Sequence, residues 1–257
     1  MAEKSSFTVH AVPYASDNYA YLLRNETANK TALFDCGDAE PILNFLSKKS
    51  WELNYIFATH FHGDHTAGIT ELIDKYPQAQ TIKPAQENRL KDYTTELDDL
   101  ESISFGDQKI QAIRVPAHTQ HCTSYYIKPF LFVGDSLFSA GCGRLFEGDG
   151  KDLLRIMDRY AEFPENTQIF FGHEYTLNNV KFAKTIESNN PDLNEYHQNL
   201  TKPQEILRTT PTTIEFEKKI NPFLRIDQPE IIQKIDLGGN MQRYERITVL
   251  RDLKNRF

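Results

Sequence analysis

The sequence predicts a mixed α/β fold, in which a layered domain of strands and helices precedes a C-terminal helical domain. Short segments rich in β-branched and aromatic residues, separated by polar turns and helical patterns, fill residues 1–173. From about residue 174 the strand signals disappear and helical patterns follow. A chain of 257 residues is long enough for one large domain with a smaller one appended. We therefore place the two domains at 1–173 and 174–257.

Each element follows from a local pattern, taken in chain order. Strands are predicted where β-branched and aromatic residues cluster, and helices where apolar residues recur at helical spacing. The predicted strands read FTVHAV, YAYLL, TALFD, LNYIFAT, KIQAIRVPA, TSYYI, LFVGDSLF and QIFFGH. The predicted helices read AEPILNFLSKKS, TAGITELIDKYP, KDLLRIMDRYAEF and, after residue 173, YTLNNVKFAKTIESN and NEYHQNLTKPQEIL.

Charge and composition narrow the class of protein. The formal net charge of -7 argues against a general nucleic-acid binder and against a protein of anionic membranes, since both need a basic face. The N-terminus MAEKSSFTVH has no apolar stretch typical of a secretory signal, and the apolar run FLFV is far too short to cross a bilayer. Three widely spaced cysteines predict no disulfide framework. We therefore expect a location in the reducing cytoplasm.

A dense group of histidines and an aspartate follows the predicted strand LNYIFAT. His60 and His62 lie two residues apart, so extended backbone lets both point toward one centre. Gly63 then permits a sharp turn, which gives Asp64 and His65 a different direction. Four ligands in two directions suit two neighbouring metal ions better than one tetrahedral ion. The motif H-x-H-x-D-H therefore predicts a binuclear metal site.

Two ions need further ligands, and three candidates follow other predicted strands, where functional side chains often gather. They are His118, Asp135 and His173. Taken singly, each has a structural alternative: a turn cap, an Asx turn or a hydrogen-bonded core histidine. For His10 and His197 we expect packing or surface roles, and the role of His121 stays open.

The same residues, in this order, resemble the metallo-β-lactamase superfamily: THFHGDH, then HT at 118, GDSLF and GHEYT. Further stretches resemble glyoxalase II, the hydroxyacylglutathione hydrolases. They are DNYAYLL, FDCGDAEP, AGCGRLFEG, GHEYTLNNVKFA, PTTIEFEKKINPFLR and LRDLKNRF. This resemblance implies an αββα sandwich, here residues 1–173, followed by a C-terminal helical substrate-binding domain, residues 174–257.

The resemblance also implies a ligand set and a reaction. One ion would be held by His60, His62 and His118, the second by Asp64, His65 and His173, and both by Asp135. Zinc is the expected metal, with iron or manganese as alternatives. A hydroxide bridging the two ions, with Asp64 and Asp135 as catalytic carboxylates, would hydrolyse S-D-lactoylglutathione to D-lactate and glutathione in methylglyoxal detoxification. We expect a monomer that acts on this small molecule, with no nucleic-acid or membrane partner.

Glutathione binding in that family falls on positions that correspond to Arg144, Tyr175, Arg251 and Lys254. The chemistry is reasonable without the family, because residues 243–257 carry five basic and two acidic side chains, a local charge of +3. Such a segment suits the glycyl carboxylate of glutathione, although a solvated helix end would have the same composition.

Two points keep alternatives open. The family usually has H-T-x-G-H where this chain has HTQHC, so His121 and Cys122 stand at the Gly-His positions. Other members of the superfamily are a persulfide dioxygenase with one iron, a lactonase, a β-lactamase and an RNA-processing nuclease. A non-catalytic metal-binding scaffold is the alternative from a different class. The seven-residue ligand set and the acidic balance favour glyoxalase II over these alternatives.

Overall fold

The computed structural model describes residues 7–203 and 208–257. Residues 1–6, part of the N-terminal segment discussed above, lie outside the described residues, and so do residues 204–207, the end of the last predicted helical segment. The chain forms two compact units. The first unit comprises Met1–Arg114 and His121–Gly134, and the second comprises Val115–Gln120 and Asp135–Phe257. The division predicted at residue 173 stays a prediction.

The first unit contains a six-stranded sheet with helices that follow its strands. Its strand order is β1-β2-β3-β4-β5-β6; β1, β2 and β3 pair antiparallel, whereas β3, β4, β5 and β6 pair in parallel. The elements are β1 (Phe7–Tyr14), β2 (Asn18–Asn25), β3 (Lys30–Phe34), α1 (Ala39–Lys49), β4 (Tyr55–Phe57), α2 (Gly63–Thr66), α3 (Ile69–Lys75), β5 (Gln80–Pro84) and β6 (Thr95–Leu97).

Four antiparallel strands complete the first unit and pack on one face of that sheet. They are β7 (Ser102–Phe105), β8 (Gln108–Arg114), β9 (Thr123–Ile127) and β10 (Phe130–Gly134). Phe34 of β3 stacks on Phe132 of β10, with ring centroids 3.7 Å apart, and Phe57 of β4 contacts Tyr125 of β9 at 4.8 Å. These buried aromatic pairs fill the layer between the two sets of strands.

The other face of the six-stranded sheet is covered by α1 and α3. Ile42 and Leu46 of α1 and Leu72 of α3 are fully buried in one cluster with sheet residues such as Leu33 and Ile56. The spacing of four between Ile42 and Leu46 puts both on one helix face, as the sequence predicted. This packing fixes the sheet edge from which residues 58–65 emerge.

The second unit is mainly helical. Its elements are β11 (Leu137–Phe138), β12 (Gly141–Cys142), α4 (Gly150–Ala161), β13 (Gln168–Phe171), α5 (Thr176–Ile186), α6 (Pro191–Leu200), β14 (Thr212–Thr213), α7 (Ile214–Ile220), α8 (Pro229–Ile235) and α9 (Arg243–Arg256).

The core of the second unit lies among α5, α6 and α7. Val180, Ala183, Leu193 and Ile220 are buried together there, and Ala140 from the turn between β11 and β12 joins them. Helices α4 and α9 approach closely at Gly150, where an added Cβ would collide with Thr248. Across the described residues, no helix is long and apolar enough to span a bilayer.

The predicted mixed α/β class is confirmed, and three element predictions are wrong in detail. The helix predicted over 66–77 is shorter than expected: α3 spans only Ile69–Lys75, and a separate short helix, α2, ends at Thr66 before it. The strand LFVGDSLF is divided at Gly134, which has φ +50°. The absence of strands after residue 174 is also wrong, since β14 pairs with β13. A two-residue strand is too short to leave a periodic signal.

Candidate metal centre

Four of the seven predicted ligands lie on one short segment of the first unit. After β4 the backbone leads through Ala58 and Thr59 to His60, and α2 begins at Gly63. Asp64 and His65 therefore lie on the first turn of a helix, whereas His60 and His62 precede it. His60 and His65 are fully buried, and half of the Asp64 side chain is exposed.

The first two histidines direct ring nitrogens toward one point. Nε2 of His60 lies 3.1 Å from Nδ1 of His62. Two nitrogens bound to one tetrahedral Zn²⁺ at about 2.0–2.1 Å would lie roughly 3.3 Å apart. The separation of the two nitrogen atoms is therefore close to that expected for two ligands of one zinc ion.

A single carboxylate orients two of these histidines. Asp35, which directly follows β3 with φ +58°, accepts hydrogen bonds from the Thr59 backbone N–H (2.8 Å) and the Thr59 hydroxyl (2.8 Å). It also accepts from Nδ1 of His65 at 2.9 Å, while Nδ1 of His60 lies 3.0 Å from the same hydroxyl. Both rings thus carry their proton on Nδ1 and keep Nε2 free of it. Asp35 therefore fixes the tautomers of His60 and His65 through the ring nitrogens opposite to those that would bind a metal.

The β1–β2 turn holds Asp64. Asn18 and Tyr14 pair across that turn. Asn18 donates from Nδ2 to Oδ2 of Asp64 at 3.2 Å, and the Tyr14 hydroxyl donates to the Asp64 carbonyl at 2.6 Å. Gly37 lies so close to that carbonyl that an added Cβ would collide with it. Both the side chain and the backbone of Asp64 are therefore fixed.

The other three predicted ligands lie in the second unit, on three separate segments. Nε2 of His118 lies 3.6 Å and Nε2 of His173 lies 3.4 Å from Oδ2 of Asp135. All three side chains are at least nine-tenths buried. Asp135 occupies the turn after β10, and His173 follows β13.

The donor chemistry of this second group fits a cation. Nδ1 of His118 donates to the backbone carbonyl of Arg144 at 2.8 Å, so its Nε2 carries a lone pair. That lone pair faces the buried carboxylate oxygen Oδ2 of Asp135. A cation bound between the two acceptor atoms would stabilise this arrangement. Histidine nitrogens and carboxylate oxygens are the ligands that zinc and iron accept.

The four predicted substrate-binding residues lie in the second unit in different environments. Arg144 is exposed and its guanidinium lies 5.9 Å from the Phe146 ring centre. Tyr175 is 40 % exposed and stacks on the His173 ring, with centroids 4.8 Å apart. Both side chains are exposed, and the Tyr175 ring lies directly on a predicted metal ligand.

Arg251 and Lys254 lie on the last turns of α9. Arg251 is only 5 % exposed and donates from Nη1 to the Cys142 carbonyl at 2.7 Å. Its Nε has no partner among the described residues, so this N–H could bind an anion. Burial and the charge of Arg251 lower the pKa of Lys254 to about 8. Its Nζ donates to the side chain of Asn178.

The charge of residues 243–257 is partly neutralised within the second unit. Arg243 binds Asp158 and Asp227, each at 2.8 Å, and Arg246 binds Asp227 at 2.6 Å. The two arginines in the first turn of α9 therefore form ion pairs within the second unit. The cationic character that a ligand could meet lies in the last turns, where Arg251 and Lys254 are found.

The remaining histidines are placed as follows. His10 packs against Phe45 and Trp51, and His197 of α6 lies 3.4 Å from Lys184 of α5, in line with the packing or surface roles expected for both. Nδ1 of His121 is buried and has no partner within the described residues, and Cys122 is buried. The change from Gly-His thus leaves one buried ring nitrogen without a hydrogen bond.

Sequence reasoning missed the residues that orient the ligands. Asp35, Thr59 and Asn18 were not assigned any role, although FDCGDAEP and DNYAYLL contain two of them. An aspartate directly after a buried strand was the available signal for Asp35, because such a carboxylate needs several donors. Asn18 carries no comparable signal, since asparagine is common in turns.

Two family models together match nearly the entire chain. The model described as the metallo-beta-lactamase superfamily matches residues 14–173, and the model described as the hydroxyacylglutathione hydrolase C-terminus matches residues 174–257. Proteins called hydroxyacylglutathione hydrolase from two Synechococcus strains, JA-2-3B'a(2-13) and JA-3-3Ab, are each 38 % identical over 245 residues. These alignments cover 94 % of this chain and 97 % of the relative.

Solved structures agree on the fold. The crystal structure of ETHE1 from Myxococcus xanthus matches with a TM-score of 0.65 at 23 % identity, over 97 % of this chain and 98 % of that one. A metallo-beta-lactamase from Staphylococcus aureus matches with a TM-score of 0.66 at 16 % identity, over 96 % and 71 %. The predicted metallo-β-lactamase fold with a C-terminal helical domain is therefore confirmed, and the chain belongs to the hydroxyacylglutathione hydrolases, the glyoxalase II family of the metallo-beta-lactamase superfamily.

Proposed function

We infer that this protein is a metallohydrolase that cleaves the thioester of S-D-lactoylglutathione and related S-2-hydroxyacylglutathiones, releasing D-lactate and glutathione. The observation that carries this conclusion is the match of residues 174–257 to the C-terminal domain of hydroxyacylglutathione hydrolases. The 38 % identity to proteins of that name over most of both chains supports the same activity. The reaction belongs to methylglyoxal detoxification.

We propose that two divalent ions are bound, with zinc as the first choice and iron or manganese as alternatives. Their proposed ligands are His60, His62 and His118 for one ion, Asp64, His65 and His173 for the other, and Asp135 for both. When bound, the ions would polarise the thioester carbonyl and lower the pKa of a shared water toward neutrality. The orientation of His60, His65 and His118 through Nδ1 supports this assignment, because it places the proton on Nδ1 and leaves Nε2 of each ring unprotonated.

The protein's own side chains would bind the glutathione moiety. We propose that Arg144 and Tyr175 contact it from exposed positions, and that Arg251 and Lys254 bind its glycyl carboxylate. The Nε–H of Arg251 supports this role, since it is buried and has no partner among the described residues. A carboxylate placed there would satisfy a donor that otherwise costs free energy.

Bond cleavage needs little help from an acid. The leaving group is a cysteine thiol, whose ordinary pKa is roughly 8.5, so it leaves as a thiolate without a dedicated proton donor. We assign Asp64 a second role beside metal binding: its carboxylate is half exposed and can accept a proton from water during turnover. Asn18 orients this carboxylate by donating a hydrogen bond to its Oδ2.

We further propose that residues 1–173 form the catalytic domain and residues 174–257 the substrate-binding domain of a cytoplasmic monomer. The net charge of -7 supports a small-molecule substrate over nucleic acid or an anionic membrane surface.

Steady-state hydrolysis of S-D-lactoylglutathione, beside a thioester that lacks the glycine of glutathione, tests the proposal. We expect turnover of the full substrate, loss of turnover on removal of metal by a chelator, and a KM raised at least about tenfold for the truncated substrate. Metal analysis of the same preparation should give about two ions per chain. Two bound ions without hydrolysis of any glutathione thioester would identify a scaffold instead. Equal KM values for the two substrates would refute the roles of Arg251 and Lys254.

A further inference from the structure

A short hairpin in the second unit connects one predicted metal ligand with one predicted substrate contact. Strands β11 and β12 form this 137–142 hairpin, in which Leu137 pairs with Cys142 and Phe138 with Gly141. Asp135 lies two residues before it and Arg144 two residues after it. Any displacement of the hairpin therefore moves both of these residues.

Side chains from the C-terminal helices satisfy the backbone carbonyls of the hairpin. Asn179 of α5 donates to the Ser139 carbonyl at 3.2 Å. Asn221, which follows α7, donates to the carbonyls of Phe138 (3.1 Å) and Gly141 (3.0 Å), and Arg251 of α9 donates to that of Cys142 (2.7 Å). Three helical segments thus hold one hairpin, and Ala140 at its tip is buried in their apolar core.

Glu217 of α7 is the central residue of this arrangement. Its side chain is fully buried, yet it accepts four hydrogen bonds. Two donors belong to the hairpin, the Ser139 hydroxyl at 2.8 Å and the Ala140 N–H at 2.8 Å. The other two are the Thr212 hydroxyl at 2.7 Å and Nδ2 of Asn221 at 3.0 Å. A buried carboxylate is stable only when paired this fully.

The bond to Ala140 fixes an unusual backbone conformation. Ala140 has φ +54°, which a residue with a Cβ adopts only when its surroundings require it. The carboxylate of Glu217 holds its N–H, and the apolar core holds its methyl group. Glu217 therefore determines the course of the chain at the tip of the hairpin.

The position of the hairpin is passed on to the predicted ligands through Gly143. An added Cβ at Gly143 would collide with the Asp135 carbonyl and would lie 3.2 Å from Nδ1 of His118. The next carbonyl, that of Arg144, accepts the hydrogen bond that sets the His118 tautomer. A shift of the 137–142 hairpin thus alters Asp135, His118 and Arg144 together.

We propose that Glu217 is a positioning residue of the active site: from the C-terminal helices it holds the 137–142 hairpin, and through it the ligands Asp135 and His118 and the substrate contact Arg144. The inference rests on the proposed function of these three residues. It gives the C-terminal domain a second role beside substrate binding, namely to organise part of the metal centre.

The chemistry of the four donors distinguishes two substitutions. The two groups bonded to Oε2, the Ala140 N–H and the Asn221 NH₂, can act only as donors. The two groups bonded to Oε1, the hydroxyls of Ser139 and Thr212, can rotate and act as acceptors instead. Glu217→Gln can therefore direct its oxygen to the first pair and its NH₂ group to the hydroxyls, which keeps the hairpin in place. Glu217→Ala removes all four bonds.

The experiment compares E217A, E217Q and wild type in three measurements: KM and kcat on S-D-lactoylglutathione, the affinity for Zn²⁺, and the visible spectrum of the Co²⁺-substituted protein. A misplacement of a site by about 1 Å can cost up to about a hundredfold. We expect E217A to raise KM and to weaken Zn²⁺ binding by roughly ten- to a hundredfold, with an altered Co²⁺ spectrum. E217Q should stay within about threefold of wild type in each.

Glu187→Ala is the matched control. Glu187 is also a buried carboxylate of the helical domain, 2 % exposed, but it binds Arg225 (2.8 Å) and has no bond to the hairpin. E187A should lower the melting temperature while it leaves KM, Zn²⁺ affinity and the Co²⁺ spectrum as in wild type. If E217A does not fold, Ser139→Ala removes one hairpin bond and should give the same changes at a smaller size.

The outcomes separate the two proposals. Folded E217A with wild-type KM, Zn²⁺ affinity and Co²⁺ spectrum would overturn the positioning role, and so would equal losses in E187A. Wild-type protein that fails to hydrolyse the substrate would refute the proposed function alone. In that case the Zn²⁺ affinity and the Co²⁺ spectrum of E217A still decide whether Glu217 positions the metal ligands.

Discussion

The two units hold their predicted ligands in opposite ways. In the first unit, four ligands follow one another within six residues. The side chains of Asp35, Thr59 and Asn18 orient three of them, namely His60, Asp64 and His65. In the second unit, three ligands come from three segments. There a backbone carbonyl orients His118, and a hairpin held by distant helices positions Asp135.

This difference indicates how each half tolerates substitution. A ligand oriented by one side chain loses its orientation when that side chain changes, so effects in the first unit should be large and specific. A ligand oriented by backbone depends on many packing contacts, so effects in the second unit should be spread over several residues. The expected effects therefore decrease from Asp35 to Asn18 to the charges of α9.

The largest effect should come from Asp35→Asn. Asparagine has the same shape and tolerates the positive φ at this position, so the fold should survive. The Thr59 N–H requires the amide oxygen, which turns the NH₂ group toward the Thr59 hydroxyl and Nδ1 of His65. Nδ1 must then accept, its proton moves to Nε2, and His60 follows through the reversed hydroxyl. We expect a loss of metal affinity and kcat near the upper end of about 10–100-fold.

Asp38→Asn is the control for this substitution in the same loop. Asp38 is exposed and caps α1 by accepting from the Glu40 N–H, a role that asparagine fills equally well. Zinc titration and kinetics of D38N should match wild type. If D35N bound zinc as tightly as D38N, Asp35 would not set the histidine tautomers.

How much of this site could be predicted from sequence follows from the same contrast. His60, His62, Asp64 and His65 were apparent as candidate ligands because a local motif contains them all. His118, Asp135 and His173 depended on recurrence after predicted strands and on family resemblance. The long-range contacts of Glu217 could not be predicted. A glutamate in a helix is normally exposed to solvent, and its hairpin partners Ala140 and Ser139 lie 77 and 78 residues away in the sequence.

The fold shows the same limit. Long, strongly periodic segments such as α1 and α4 were predicted close to their observed bounds. The errors lie where the backbone interrupts a pattern, as at Gly134, where φ +50° ends β10 within a segment that the sequence would continue as one strand. Local patterns therefore predict elements, while the turn that carries Asp135 is determined by the three-dimensional packing of the chain.

An intermediate effect is expected from Asn18→Ala. The substitution removes the donor on Oδ2 of Asp64 but leaves the Tyr14 bond to its carbonyl. A hydrogen bond to a charged group contributes about 1.5–3 kcal/mol. Because this bond is 3.2 Å long and Asp64 is half exposed, the lower limit applies, so kcat or metal affinity should fall by roughly tenfold. Tyr14→Phe, which leaves the carboxylate held, should have the smaller effect in the same assays. A larger loss in Y14F than in N18A would show that the Asp64 backbone matters more than its side chain.

The smallest effect should be a pH dependence of glutathione binding in the second unit. The pKa of Lys254 is lowered to about 8, first by burial and then by the charge of Arg251, while Cys142 acts in the opposite direction. Because the charged form is the one present below this pKa, the carboxylate of the ligand meets a cation at pH 7 and a neutral amine at pH 9. The Kd of S-methylglutathione, measured by calorimetry, should rise a few-fold across this range, since one charge-assisted hydrogen bond is lost.

S-methylglutathione has an amino group that also titrates at alkaline pH, and Lys254→Arg separates the titration of Lys254 from that of this group. Arginine stays charged at both pH values, so the Kd of K254R should change only as far as the ligand itself titrates. The difference between wild type and K254R therefore measures Lys254 alone. A parallel pH dependence in the two proteins would show that Lys254 does not bind the carboxylate. Arg251, whose Nε has no partner in the described part of the chain, would then be the cation of α9 that binds it.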